Sequence, residues 1–128
     1  MTPYGRPDAY RESAILTASP EQLVVLLYDG ALRFARQAQA AFGEGAQAHA
    51  RDRLDRVEAI VDELLATLDM EAGGELAERL QAIYVFCKRC LMQARLERDP
   101  EPLGTVLRLL GELRGAWSAV ASGQPAPA

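Results

Sequence analysis

The chain has 128 residues, of which 49% are hydrophobic and 25% are charged, and its formal net charge at pH 7 is −4. This length suits one domain with a single hydrophobic core, and the chain is too apolar to be intrinsically disordered. The acidic balance argues against nucleic-acid binding, which needs a basic surface that releases counterions from phosphates. No apolar run resembles a secretory signal or reaches the about 20 residues that span a bilayer, so we expect a cytoplasmic protein without membrane insertion.

The first strong helix signal lies at Ser19-Pro20-Glu21-Gln22. Ser19 suits the N-cap and Pro20 the first helical position, while Gln22 completes a capping box. The helical pattern continues to about Phe42. Apolar residues three and four positions apart are predicted to face the core; they are Leu23, Leu26, Leu27, Gly30, Phe34, Ala38 and Ala41.

Glycines and prolines separate three further helices. The second follows Gly43-Glu44-Gly45 and ends at Leu68, the third follows the connection Asp69–Gly74, and the fourth begins with Asp99 as cap and Pro100 as first helical residue. The residues predicted to face the core are Leu54, Val57, Val61, Leu64, Leu65 and Leu68; Leu76, Leu80, Ile83, Tyr84, Cys87, Leu91 and Ala94; and Leu103, Val106, Leu107, Leu110, Leu113, Trp117 and Val120.

These four matched helices with short connections predict an all-α fold, an antiparallel up-and-down four-helix bundle over residues 19–121. A short N-terminal segment, residues 1–18, precedes the bundle. Residues 122–128 contain two prolines and no large apolar side chain, and they are predicted to form a disordered tail.

No residue pattern indicates an enzyme. His49 is the only histidine, which excludes the ligand set of a di-iron bundle site. Cys87 and Cys90 have the C-x-x-C spacing of redox and zinc sites, but they lie in the middle of a helix and no second cysteine pair exists. We interpret them as small buried hydrophobic residues. We therefore expect no catalytic residue, no metal and no cofactor.

Two apolar stripes are not needed by the predicted core. One consists of Val25, Tyr28 and Leu32 on the first helix; the other consists of Val85, Met92 and Leu96 on the third helix, with Arg89 among them. Uncovered apolar stripes of this length are typical of partner-binding surfaces. Scattered exposure without function, or cover by the N-terminal segment or a second copy, are the alternatives. A line of glycines on the fourth helix is equally compatible with a close backbone approach and with chance composition.

The chain resembles the FliS family of flagellar secretion chaperones over nearly its whole length. The resemblance is carried by Ala9-Tyr10, by the block from Leu16-Thr17-Ala18-Ser19-Pro20 to Leu26-Leu27-Tyr28-Asp29-Gly30-Ala31, by Gly73-Gly74-Glu75-Leu76-Ala77 and by Ala116-Trp117. The order and spacing of these blocks are more specific than any one of them.

The resemblance implies a chaperone that binds the C-terminal segment of flagellin in the cytosol. It would prevent premature polymerisation and assist delivery to the flagellar type III export gate. In this reading the chain is a monomer or weak dimer, and the N-terminal segment is a movable lid with Tyr4, Ile15 and Leu16 in the cover. The competing hypothesis is a self-associating bundle without a flagellar role. The residues expected to contact the partner are Tyr10, Val25, Tyr28, Leu32, Val85, Arg89, Met92 and Leu96.

Overall fold

The computed structural model describes residues 17–123, and the regular structure in that range is entirely helical. The four helices are α1 (Pro20–Gly43), α2 (Gln47–Ala66), α3 (Met70–Glu97) and α4 (Glu101–Ala121). The predictions for the N-terminal segment and for the tail concern residues outside this range; they include the proposed lid and partner residues Tyr4, Tyr10, Ile15 and Leu16.

The helices form a four-helix bundle, as predicted. Three residues connect each helix to the next, at 44–46, 67–69 and 98–100, so successive helices run antiparallel. α1 packs on α2 and α4, and α3 packs on the same two helices from the other side. The N-termini of α1 and α3 therefore lie at the same end of the bundle as the C-termini of α2 and α4.

The sequence signals for the start of α1 are confirmed atom by atom. The Ser19 hydroxyl accepts a hydrogen bond from the Gln22 backbone N–H at 3.2 Å, and the Gln22 side chain accepts one from the Ser19 backbone N–H at 2.8 Å. Pro20 occupies the first turn. This reciprocal capping box satisfies backbone donors that have no partner inside the helix.

α3 begins earlier than its glycines predict. The Asp69 carboxylate accepts hydrogen bonds from the backbone N–H groups of Glu71 and Ala72, so a helical turn starts at Met70. The helix is then interrupted at Gly74, whose φ of 52° and ψ of −131° are non-helical. Few residues other than glycine tolerate such a positive φ. The predicted connection Asp69–Gly74 is thus a capped turn followed by a kink.

The start of α4 differs by one residue from the prediction. Pro100 is the N-cap and the helix begins at Glu101. Asp99 still acts in capping, since its carboxylate accepts a hydrogen bond from the Glu101 backbone N–H at 3.0 Å.

The predicted core face of α2 is confirmed. Leu54, Val57, Val61 and Leu64 are fully buried, and Leu65 and Leu68 are partly buried against the same core. Cys87 and Cys90 of α3 are also buried, as expected for small apolar residues.

The core face of α1 is rotated relative to the prediction. Tyr28 and Leu32 belong to the core and not to an exposed stripe, whereas Leu23 and Leu26 are more than one-third exposed. Small side chains determine this orientation, because they let α1 approach α2 and α4 closely; the buried residues of α1 are Tyr28, Gly30, Ala31, Leu32, Ala35, Ala38, Ala41 and Phe42. At Gly30, an added Cβ would lie only 3.1 Å from the Ile60 side chain of α2.

Two further residues predicted in the core are exposed. Leu76 at the start of α3 is 61% exposed, and Val120 at the end of α4 is 43% exposed. Both lie at the same end of the bundle as Leu23 and Leu26. The common physical reason is that the four helices do not close over their core at this end.

The burial of the two cysteines makes a prediction about stability. Burial raises the pKa of the Cys87 thiol to about 12, so this thiol is protonated at neutral pH and is a poor nucleophile. Replacing Cys87 and Cys90 together by alanine should lower the free energy of unfolding by about 1–2 kcal/mol, because two buried sulfur atoms are lost. Urea denaturation followed by circular dichroism measures this change. A doubly substituted protein with unchanged stability that no longer binds its partner would contradict the packing role.

Candidate partner-binding surface

The open end of the bundle contains an apolar groove between α1 and α3, which we call the end groove. It has a volume of about 380 Å³. It exists because the break at Gly74 separates the first turn of α3 from the rest of the helix and leaves Leu76 without a neighbour from α1. The groove is lined by Pro20, Leu23, Val24, Leu27, Thr67, Leu68, Asp69, Gly73, Leu76, Ala77, Leu80, Tyr84 and Trp117.

The part of the end groove nearest the core is held by aromatic side chains. The hydroxyl groups of Tyr28 and Tyr84 are 2.5 Å apart and share a hydrogen bond between α1 and α3. Their rings are tilted by 44° with centroids 6.5 Å apart. Burial raises the pKa of both phenols, and a hydrogen bond from Trp117 acts in the opposite direction on Tyr28. Both tyrosines are therefore neutral at physiological pH and serve as a fixed base for the groove.

A second groove lies at the same end, between the start of α1 and the end of α4. Its volume is about 440 Å³. Val25, one of the residues predicted to bind a partner, is half-buried in it beside the more exposed Leu26. One helical turn further along α1, an ion pair of 2.8 Å between Asp29 and Arg114 joins α1 to α4. The remaining lining residues are Thr17, Ala18, Gln22, Ser118, Ala121 and Ser122.

The outer stripe of α3 is the third apolar surface. As predicted, Val85, Met92 and Leu96 are exposed, the last to 75%, and Arg89 is exposed among them. The structure adds Phe86, which is 47% exposed. Phe86 follows Val85 directly, so counting every third and fourth residue passes over it. A shallow depression here is lined by Glu78, Gln81, Ala82, Val85, Phe86 and Arg89.

The structure thus separates the residues that the sequence grouped as one binding surface. Val25 lies in a groove at the open end, while Val85, Arg89, Met92 and Leu96 lie on the outer stripe of α3. The prediction that Tyr28 and Leu32 form an exposed stripe is wrong, because both side chains face the core. The sequence reasoning missed the exposed apolar side chains that border the open end; these are Leu23, Leu26, Met70 and Leu76.

The same part of the chain offers little for other kinds of function. Across residues 17–123, no group of three or more histidine, cysteine, aspartate or glutamate side chains is arranged to hold a metal ion. None of the helices there has the length and apolar character needed to span a membrane. The glycines of α4 are open, since an added Cβ at Gly104, Gly111 or Gly115 would meet no atom within 4 Å.

Comparison with known proteins points to one family. The family model described as "Flagellar protein FliS" matches residues 4–124. The flagellar secretion chaperone FliS of Salmonella typhimurium is 36% identical over 110 residues, covering 85% of this chain and 82% of that protein. The FliS chaperone of Vibrio cholerae is 31% identical over 120 residues, covering 91% and 88%. The Bacillus subtilis chaperone is 31% identical over 109 residues, covering 85% and 80%.

Proposed function

Because the chain belongs to the FliS family of flagellar secretion chaperones, we propose that it binds the C-terminal segment of flagellin in the cytoplasm. In this role it prevents premature polymerisation of flagellin and assists its delivery to the flagellar type III export apparatus. The family is one of chaperones and not of enzymes. The observation that supports the proposal is the open end of the bundle, where leucines line a groove that the chain's own helices leave uncovered.

The geometry of the end groove suits a helical guest. Its two walls are the antiparallel helices α1 and α3, and its base is formed by Tyr84 and Trp117. An amphipathic helix that lies between two such walls continues the packing of the bundle and buries its own apolar face. We propose that the flagellin segment docks here as a helix.

Binding of a disordered segment requires apolar contact to offset the entropy that the segment loses on ordering. The exposed parts of Leu23, Leu26 and Leu76 supply such contact, since each buried methylene contributes about 0.8 kcal/mol. The second groove begins where Val25 and Leu26 follow the end groove around α1. A partner longer than one helix can therefore continue from the first groove into the second.

The direct test is calorimetric titration of the full chain with a peptide of the flagellin C-terminal segment. We expect a 1:1 complex, a negative heat-capacity change from apolar burial, and a gain of helix in circular dichroism. The chain should also delay the polymerisation of intact flagellin. Flagellin that lacks its C-terminal segment is the matched control and should not bind. Equal binding of the truncated flagellin, or no binding of the peptide, would refute the proposal.

A further inference from the structure

The outer stripe of α3 faces away from the end groove and has a composition of its own. We propose that it pairs with the same stripe of a second copy of this chain. The pairing is an antiparallel, two-fold symmetric helix contact in which Glu78 of each copy lies opposite Arg89 of the other. This proposal does not rest on flagellin binding, because it concerns the free chain and a different face of α3.

Helical geometry places the required residues on one side of α3. At about 100° per residue, positions eleven apart differ by only about 20° around the helix, so Glu78 and Arg89 lie on one line. Ala82 and Val85 fall between them on the same line. All four residues are exposed.

The register follows from symmetry. In a two-fold interface, a residue that contacts another receives the reciprocal contact from the second copy. Placing Glu78 opposite Arg89 brings Ala82 opposite Val85 and Gln81 opposite Phe86. These six residues are the same six that line the depression on this face. The small Ala82 leaves room for the Val85 side chain of the other copy, and the pair of contacts occurs twice.

Charge complementarity favours a second copy over other occupants. On α3, Arg79, Lys88 and Arg95 form ion pairs with carboxylates of the same chain. Within residues 17–123, Glu78 and Arg89 show no such pair, although both border an apolar patch. A second copy in the antiparallel register supplies each with an opposite charge. A register centred on Arg89 would instead bring two guanidinium groups together and is disfavoured.

The contact is short, about twelve residues of helix from each copy. An interface of this size belongs to the weak and transient class. We therefore expect a reversible dimer that populates with rising protein concentration and weakens with salt, because its two ion pairs are exposed.

Charge reversal provides a sharp test by analytical ultracentrifugation of the full chain. Glu78→Arg alone and Arg89→Glu alone should each shift the self-association of the wild type at least tenfold toward monomer, because each variant brings like charges together twice. An equimolar mixture of the two variants should form a 1:1 heterodimer, since every facing pair is then opposite in charge. Arg108→Glu and Glu112→Arg, exposed on α4, are the matched controls and should change nothing. Circular dichroism checks that each variant remains folded.

Two results would overturn the proposal. One is a wild-type chain that stays monomeric up to about 1 mM at low salt. The other is a mixture of the reversed variants that associates no better than either alone. If Arg89→Glu instead weakens binding of the flagellin peptide while the wild type is monomeric, the stripe serves that partner and the symmetric pairing is wrong.

Discussion

Replacing Tyr28 by alanine should lower the free energy of unfolding by about 3–5 kcal/mol, the range measured when a large buried aromatic side chain is removed. Tyr28 is fully buried between α1 and α3. The substitution deletes the ring from the core and also leaves the buried Tyr84 hydroxyl without its partner from α1. Urea denaturation monitored by circular dichroism measures the loss.

Phenylalanine substitutions separate the contribution of the ring from that of the hydroxyl group. Tyr28→Phe keeps the packing and should cost about 1–3 kcal/mol, because the Tyr84 hydroxyl then lacks a hydrogen-bond partner. Removing both hydroxyls together should cost less than the sum of the two single substitutions, since no polar group is left unpaired. A change below about 1 kcal/mol for Tyr28→Ala would contradict a core role and restore the interpretation of Tyr28 as a surface residue.

The parts of the fold that local chemistry determines could be predicted from the sequence. The capping box at Ser19 and Gln22 is complete within four residues, and its atoms are arranged as predicted. α2 has one apolar face opposite a charged one, so its spacing leaves a single way to bury its leucines and valines. Four such helices with three-residue connections leave the antiparallel bundle as the simplest arrangement.

The orientation of α1 could not be predicted in the same way. Its first two turns, Leu23–Tyr28, are apolar on every side, so periodicity alone does not say which side is inside. The decision is made further along, where Ala31, Ala35 and Ala38 let α2 and α4 approach closely. Alanines carry little weight in a count of large apolar residues. As a result, the predicted binding residues Tyr28 and Leu32 were assigned to the surface and the true groove leucines to the core.

The end groove depends on tertiary structure that no local pattern contains. Leu76 follows the helical spacing of the core residues Leu80 and Tyr84 and would be buried if α3 were continuous with neighbours on all sides. The kink at Gly74 and the ends of the other helices leave it exposed instead. The outer stripe of α3 was predictable because Val85, Met92 and Leu96 lie opposite a core face that is unambiguous.

Replacing Leu76 by glutamate should weaken binding of the flagellin C-terminal peptide about 30- to 100-fold. In the free chain the Leu76 side chain is largely exposed, so the substitution should change the free energy of unfolding by no more than about 0.5 kcal/mol. In the complex the same position would lie under the apolar face of the partner helix. A carboxylate there loses its hydration without gaining a partner, which costs about 2–3 kcal/mol of binding free energy.

Leu96→Glu is the matched control, because it introduces the same charge on the same helix at an equally exposed leucine. Leu96 lies near the opposite end of α3, more than 25 Å from Leu76 at about 1.5 Å per helical residue. Its substitution should therefore change peptide affinity less than about threefold. Calorimetric titration of both variants, with circular dichroism to verify folding, distinguishes the two positions. If Leu76→Glu binds like the wild type while Leu96→Glu does not, flagellin binds the outer face of α3 and the end groove is not its docking site. If both variants bind like the wild type, neither leucine contributes to the flagellin interface, and the proposed helical docking between α1 and α3 is wrong.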